Sequence, residues 1–172
     1  KLICPQQRLL LECAYETLEI AGYSPEENKH KVGVFTGADL SSYLIKNIRE
    51  EASSLEGFSQ AQLIHSNSSA STKISYHLNL SGPSLDINTA CSSSLVSLHL
   101  ACQSLLLCEC DMALAGGASI NAYKQGYLYY QDGILSPDGH CRAFDINAQG
   151  TISGQGVVLV LLKRLVDAIN DN

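Results

Sequence analysis

Between residues 84 and 107 a strand pattern gives way to a helix pattern across one short turn, and that junction restricts the fold most. Residues 84–88, Ser84-Leu85-Asp86-Ile87-Asn88, read as a strand, and apolar residues from Leu95 to Leu107 recur as in a helix. Between the two runs stand Thr89-Ala90-Cys91-Ser92-Ser93-Ser94. A thiol at that point lies at a helix N-terminus. Unpaired amides and the positive end of the helix dipole there favour a thiolate. Thiolates attack activated acyl carbons, so the arrangement points to covalent acyl chemistry at Cys91.

The rest of the chain repeats the alternation of strand and helix. Residues 5–21 read as a helix with Pro5 in its first turn and Leu9, Leu10, Cys13, Ala14, Thr17, Leu18 and Ala21 on one face. Gly22 ends it, and a polar link over 24–31 follows. Residues 32–37 form a short buried strand, 41–51 a helix and 53–59 a loop. The polar stretch 66–71 is an ordered loop and helix N-cap leading into a helix over 72–80, and Gly82-Pro83 is a turn. Residues 112–118 form a second buried strand, so rich in small residues that another element must pack closely on it. The long stretch 121–143 carries Tyr127, Tyr129 and Tyr130 and has the length of a functional loop. A strand over 157–162 and a helix over 163–170 follow. Short joints between alternating strands and helices imply an α/β layered fold, without internal repeats.

Composition removes several classes of function. The 172 residues carry a net charge of −6 with scattered Lys and Arg, which argues against nucleic acid. Charged residues make up only 16%, so part of the surface is expected to be covered by a partner or by further chain. No apolar run reaches membrane-span length, and the N-terminus has no signal-peptide pattern. It begins abruptly, almost inside a helix, as a piece cut from a longer protein would. The seven cysteines are odd in number and include no C-x-x-C pair, which implies free thiols in a reducing, cytoplasmic setting. Cys13 and Cys102 are expected to be buried. Cys108-x-Cys110 with His99 or His140 fits no standard zinc spacing, so no metal site is expected.

Other nucleophile and nucleotide designs are missing. There is no G-x-S-x-G elbow, no dinucleotide fingerprint after Gly154-Gln155-Gly156 and no phosphate loop. A Cys protease needs a His beside the thiol. None of His30, His65, His77, His99 and His140 carries such a motif. His99 lies eight residues beyond Cys91, about two helical turns away. It is expected to be a packed or capping side chain, and His140 a surface residue.

The stretch Asp86-Ile87-Asn88-Thr89-Ala90-Cys91-Ser92-Ser93-Ser94-Leu95 resembles the nucleophile motif of β-ketoacyl synthases, specifically those of modular polyketide synthases. Further segments match in order: Pro5-Gln6-Gln7-Arg8, Gly82-Pro83-Ser84, Ala115-Gly116-Gly117, Gly133-Ile134-Leu135-Ser136-Pro137-Asp138-Gly139, Cys141-Arg142-Ala143-Phe144-Asp145 and Val160-Leu161-Leu162-Lys163-Arg164-Leu165. The resemblance implies a thiolase-like layered fold. Residues 1–172 would be the N-terminal half of its α-β-α-β-α architecture, less the first strand, with no second domain. It also implies that Cys91 accepts an acyl chain from the phosphopantetheine arm of an acyl carrier protein, with no cofactor bound by the chain itself. A malonyl-type unit is then decarboxylated and joined to that chain by Claisen condensation. The Cys91 N–H would form part of the oxyanion hole, and the hydroxyls of Ser92, Ser93 and Ser94 would cap the helix.

The resemblance further implies a cytoplasmic homodimer paired through the strand over 84–88, with residues 123–139 near the acyl pocket or the dimer contact. The acidic carrier protein would dock on basic residues, for which Lys124 and Arg142 are candidates. The sequence departs from the family in lacking its two downstream catalytic histidines and accompanying Lys. Cys4 stands in place of the usual Asp, and Gln155 in place of a common Glu. The segment alone is therefore expected to be inactive. A non-condensing acyl-binding or gating domain is the alternative reading, and a thiol hydrolase on another α/β fold is a third.

Overall fold

The computed structural model describes residues 4–24, 29–38, 69–120 and 126–171. Its elements in chain order are α1 (Pro5–Ile20), β1 (Val32–Ala38), α2 (Ala70–His77), β2 (Ser84–Asp86), a 3-10 turn (Ala90–Ser92), α3 (Ser93–Leu106), β3 (Met112–Ser119), β4 (Gly156–Lys163) and α4 (Leu165–Asn170). The four strands form one mixed sheet in the order β2-β1-β3-β4. β1 runs parallel to β2 and β3, and β4 closes antiparallel on β3.

β1 is buried along nearly its whole length because helices cover both faces of the sheet. Alternation along the strands divides the core. Val32, Val34, Met112 and Leu114 face α1 and α2, where they meet Leu10, Leu18 and Ile74. Phe35, Ala113 and Ala115 face α3 and meet Ala101 and Leu105. The side chains toward α3 are mostly small, so that helix lies close on the sheet, as the composition of residues 112–118 implied.

α1 matches its expected span, with Pro in the first turn and a reversal at Gly22, whose φ of +81° suits glycine. Its buried stripe is Leu10, Ala14 and Leu18, together with Gln6 and Gln7. The amides of these glutamines are used: Ile120 N–H donates to Gln6 Oε1 at 2.6 Å and Lys73 Nζ to Gln7 Oε1 at 2.9 Å. α2 begins earlier than expected and ends at His77, before Asn79 turns left-handed at φ +52°. β2 is shorter than residues 84–88, although Ile87 N–H still donates to Thr36 O at 2.9 Å before the chain turns away. The helix expected over 41–51 and the loop over 53–59 lie outside the described residues.

Three burial expectations are corrected. Cys102 is exposed and Cys13 only half-buried, whereas Cys4 and Cys110 are the buried thiols. On α3 the buried positions are Ser97, Ala101, Ser104 and Leu105, and Cys102 falls on the other side. His99 shares that outer side and is exposed rather than packed. Apolar periodicity does not pick the inward face here because small residues, Ser97, Ala101 and Ser104, form most of it, while Leu95 and Leu106 face outward.

Candidate active site

Cys91 sits in the 3-10 turn that joins the end of the β2 segment to α3. Ala90 before it is left-handed, at φ +54°. That conformation costs an L-residue roughly 1–2 kcal/mol, so the surroundings must impose it. They do so with hydrogen bonds. Asn88 Oδ1 accepts from Ala90 N–H at 3.3 Å, and Ser93 Oγ accepts from Thr89 N–H at 2.9 Å. Ser93 Oγ in turn donates to Ala90 O at 2.8 Å, and Ser92 Oγ to Thr89 O at 2.8 Å. Ser92 N–H also reaches Thr89 O, at 3.3 Å. The Cys91 N–H is not among the amides engaged in this way.

The serine hydroxyls thus differ from the expected role. No side-chain cap is made to a free amide of α3. The left-handed residue folds the turn back so that Ser92 and Ser93 reach residues 89 and 90 instead, and they brace the turn.

The Cys91 side chain is exposed and lines a cavity of about 760 Å³. Gly37 and Ala38 at the end of β1, Gly116 and Gly117 of β3, and Val158 and Val160 of β4 form much of its wall. Leu95 and Leu98 of α3 add apolar surface, while Asn88, Ser93, Ser94 and Ser119 supply polar groups. A mostly apolar concavity with a few polar groups and one thiol suits an aliphatic acyl chain joined to sulfur. None of the described histidines, His30, His77, His99 and His140, lines it, and His65 lies outside the described residues. Among the described residues no group of three His, Cys, Asp or Glu converges as a metal site requires.

Behind the turn lies a polar network that no sequence motif announces. Buried Ser71 of α2 bonds to Thr36 at 2.7 Å, donates its hydroxyl to Leu85 O at 2.7 Å, and gives its N–H to Asp86 Oδ1 at 2.9 Å. It ties α2, β1 and β2 together just before the nucleophile turn. Burial raises the Asp86 carboxyl above its ordinary range, against the lowering effect of the Ser71 bonds and nearby Lys73. Burial likewise lowers Lys73, against the pull of Cys4 and Asp86. The visible signal is Thr36 alone, a hydroxyl within an apolar strand; Ser71 stands in a polar run and gives none.

Residues 126–155 contain no helix or strand and are held by side chains. Leu135 and Thr151 form a single bridge, and Tyr127 Oη donates to Ser136 O at 2.6 Å. Asp138 accepts from Ser136 Oγ at 2.8 Å and His140 N–H at 3.1 Å, and pairs with Arg142 at 2.8 Å. The Arg142 bond, with that of Ser136 next, holds the Asp138 carboxyl far below the usual carboxylate range. His140 is at the surface, as expected. No residue from 126 to 139 lines the cavity beside Cys91, so that part is not a wall of the pocket. The Arg142 guanidinium is already engaged, and Lys124 lies outside the described residues.

Residues 1–168 match the family described as beta-ketoacyl synthase, N-terminal domain. The chain belongs to the β-ketoacyl synthase family. This synthase segment is similar to one component of the phenolphthiocerol/phthiocerol polyketide synthase of Mycobacterium tuberculosis (strain CDC 1551 / Oshkosh), with 45% identity over 179 residues, 99% of this chain and 12% of the relative. Another component of that synthase, from the same strain, is 45% identical over 169 residues, 97% of this chain and 9% of the relative. Among solved structures, ketosynthase twelve of the bacillaene polyketide synthase in Bacillus amyloliquefaciens matches with a TM-score of 0.89 and 33% identity, over 99% of this chain and 30% of that one. The ketosynthase from module 6 of the bacillaene synthase of Bacillus subtilis 168 matches with a TM-score of 0.75 and 40% identity, over 99% and 28%. The chain therefore spans only a small part of the length of the relatives it matches. The resemblance to polyketide-type ketosynthases is borne out, and the fold is thiolase-like.

Proposed function

We propose that this segment carries the acyl-accepting half-site of a β-ketoacyl synthase acting in polyketide assembly, and that it works as one part of a longer enzyme. The observation that carries the reading is the Cys91 thiol, exposed on the wall of an apolar cavity at the start of α3, in a chain of this family. Cys91 Sγ attacks the carbonyl carbon of an acyl thioester. The new carbon–sulfur bond forms as the bond to the pantetheine sulfur breaks, and the departing thiol takes the proton. The Cys91 N–H steadies the oxyanion; that it is left out of the bonds that brace the turn supports this role. A malonyl-type unit then loses CO2, its carbanion attacks the acyl carbonyl, and the bond to Cys91 breaks to release the thiolate, which takes a proton from solvent.

Decarboxylation needs groups that stabilise the enolate, and the family's histidines for that step are not in these residues. Acyl carrier protein is the partner that delivers both substrates, the chain itself binds no cofactor, and the setting is cytoplasmic. No helix among the described residues is long and apolar enough to cross a membrane. Dimerisation through β2 is supported by its place at the end of the sheet and by the exposure of Leu85.

The test uses the longer enzyme that carries this segment, with an acyl-pantetheine thioester followed by malonyl-carrier protein. Intact mass is expected to show one acyl group, lost in Cys91→Ala together with product formation. The isolated 172-residue chain is expected to form no carbon–carbon bond. Undiminished acylation in the Cys91→Ala enzyme, or condensation by the isolated chain, overturns the proposal.

A further inference from the structure

We propose that Gly37 is a positioning residue for Cys91, setting the depth at which the nucleophile turn rests on the sheet. The inference rests on the reading of Cys91 as acyl acceptor. Gly37 is buried in β1 and lines the same cavity as the thiol. Its φ lies outside the left-handed region, so its conformation does not demand glycine; the space around it does. A Cβ built there would stand 2.6 Å from Ser93 Cβ, and 3.3 Å from both Ser93 C and Ile87 O. Carbon atoms pack at about 3.5–4.0 Å, so an added methyl requires a shift of roughly 1 Å.

The shift would fall on the nucleophile turn. Ser93 Cβ is fixed to the first residue of α3 and cannot swing aside as the end of a long side chain can. Ser93 Oγ also holds Thr89 N–H and Ala90 O, which flank Cys91 on its N-terminal side. Displacing Ser93 therefore displaces residues 89–93 as a unit, with the Cys91 thiol and its N–H. Gly117 is a poorer probe of this effect. A Cβ there would stand 2.9 Å from Gly37 O, so substitution would strain the sheet itself.

Acyl transfer needs the thiolate and the oxyanion donor set together against one carbonyl, and a misplacement of about 1 Å can cost on the order of 10²-fold. Alkylation by iodoacetamide needs only a reachable thiolate. The experiment measures both rates at Cys91 in the longer enzyme, for wild type, Gly37→Ala, Ser93→Gly, Ser93→Ala and the double variants with Gly37→Ala. Gly37→Ala is expected to lower acylation by about 10–100-fold. Its alkylation rate is expected to stay within about twofold, since that reaction uses no oxyanion hole. Ser93→Gly removes the colliding Cβ, so the Gly37→Ala/Ser93→Gly enzyme is expected to match Ser93→Gly alone. Ser93→Ala keeps the Cβ and should give no such relief.

Three results overturn the proposal: Gly37→Ala acylates as fast as wild type, its alkylation falls in step with acylation, or Ser93→Gly gives no relief. If Gly37→Ala does not fold, the double variant against Ser93→Gly alone carries the comparison, and a double variant slower than Ser93→Gly counts against it. Wild-type enzyme acylated at a site other than Cys91 overturns the functional reading itself, whatever Gly37 does.

Discussion

The hydroxyl of Ser93 serves the residues before it, and this is typical of how single side chains shape the surroundings of Cys91. Asp138 does the same for the loop over 133–142, gathering Ser136, the His140 amide and Arg142. Its carboxyl binds a proton less readily folded than unfolded. The support it gives is therefore complete above the ordinary carboxylate range, near pH 4, and is lost as the pH falls below that range toward the folded value. The protection of the His140 amide, its exchange rate relative to an unprotected peptide at the same pH, is expected to be high at neutral pH and to fall in acid, while Asp138→Asn should show low protection at both. Equal protection at pH 7 and pH 3 would sink this account. Cys91 could be read from the sequence because its chemistry follows from neighbours in the chain. The Ser71 network could not, since Ser71 meets Asp86 fifteen residues away and Thr36 thirty-five away. Only the fold brings those residues together.

Elements were legible where their patterns were strongest. α1, β1, β3 and β4 lie close to where proline, glycine and apolar runs put them. α3 is legible as a helix, but its inward face is not, because Ser97, Ala101 and Ser104 form most of that face and leucines point outward as well. Its far end is finished by a residue distant in sequence. Arg164, between β4 and α4, donates to Leu105 O at 3.0 Å and to Cys110 O at 2.8 Å, and pairs with Asp167. It adds a second donor to a carbonyl of the last turn of α3, reaches the segment before β3 as well, and so clips both to the β4–α4 junction. Arg164→Gln is expected to lower the melting temperature by several degrees, and Arg164→Lys by less. Thermal unfolding followed by circular dichroism checks this, and unchanged melting in both variants would refute it.

At the scale of the whole molecule, the low share of charged residues finds its place. Leu95, Leu106 and Val158 are 70%, 71% and 64% exposed, an unusual amount of apolar surface for one sheet and its helices. The chain covers 30% of a solved ketosynthase to which it is similar. On its own it is expected to self-associate at micromolar concentration, and the pair Leu95→Lys with Val158→Lys to shift it toward monomer without loss of secondary structure. Sedimentation velocity decides the matter, and a clean monomer without those changes would count against it.

The parallel pairing of β1 with β3 has a consequence in time. Val32 lies opposite Met112, with α2, the edge strand β2 and α3 among the described elements between them in the chain. The centre of the sheet therefore cannot close until the ribosome has delivered residue 119. At roughly 5–20 residues per second, β1 waits several seconds without its partner. During synthesis that apolar strand is the part most exposed to wrong pairing, and the part a chaperone would have most reason to hold.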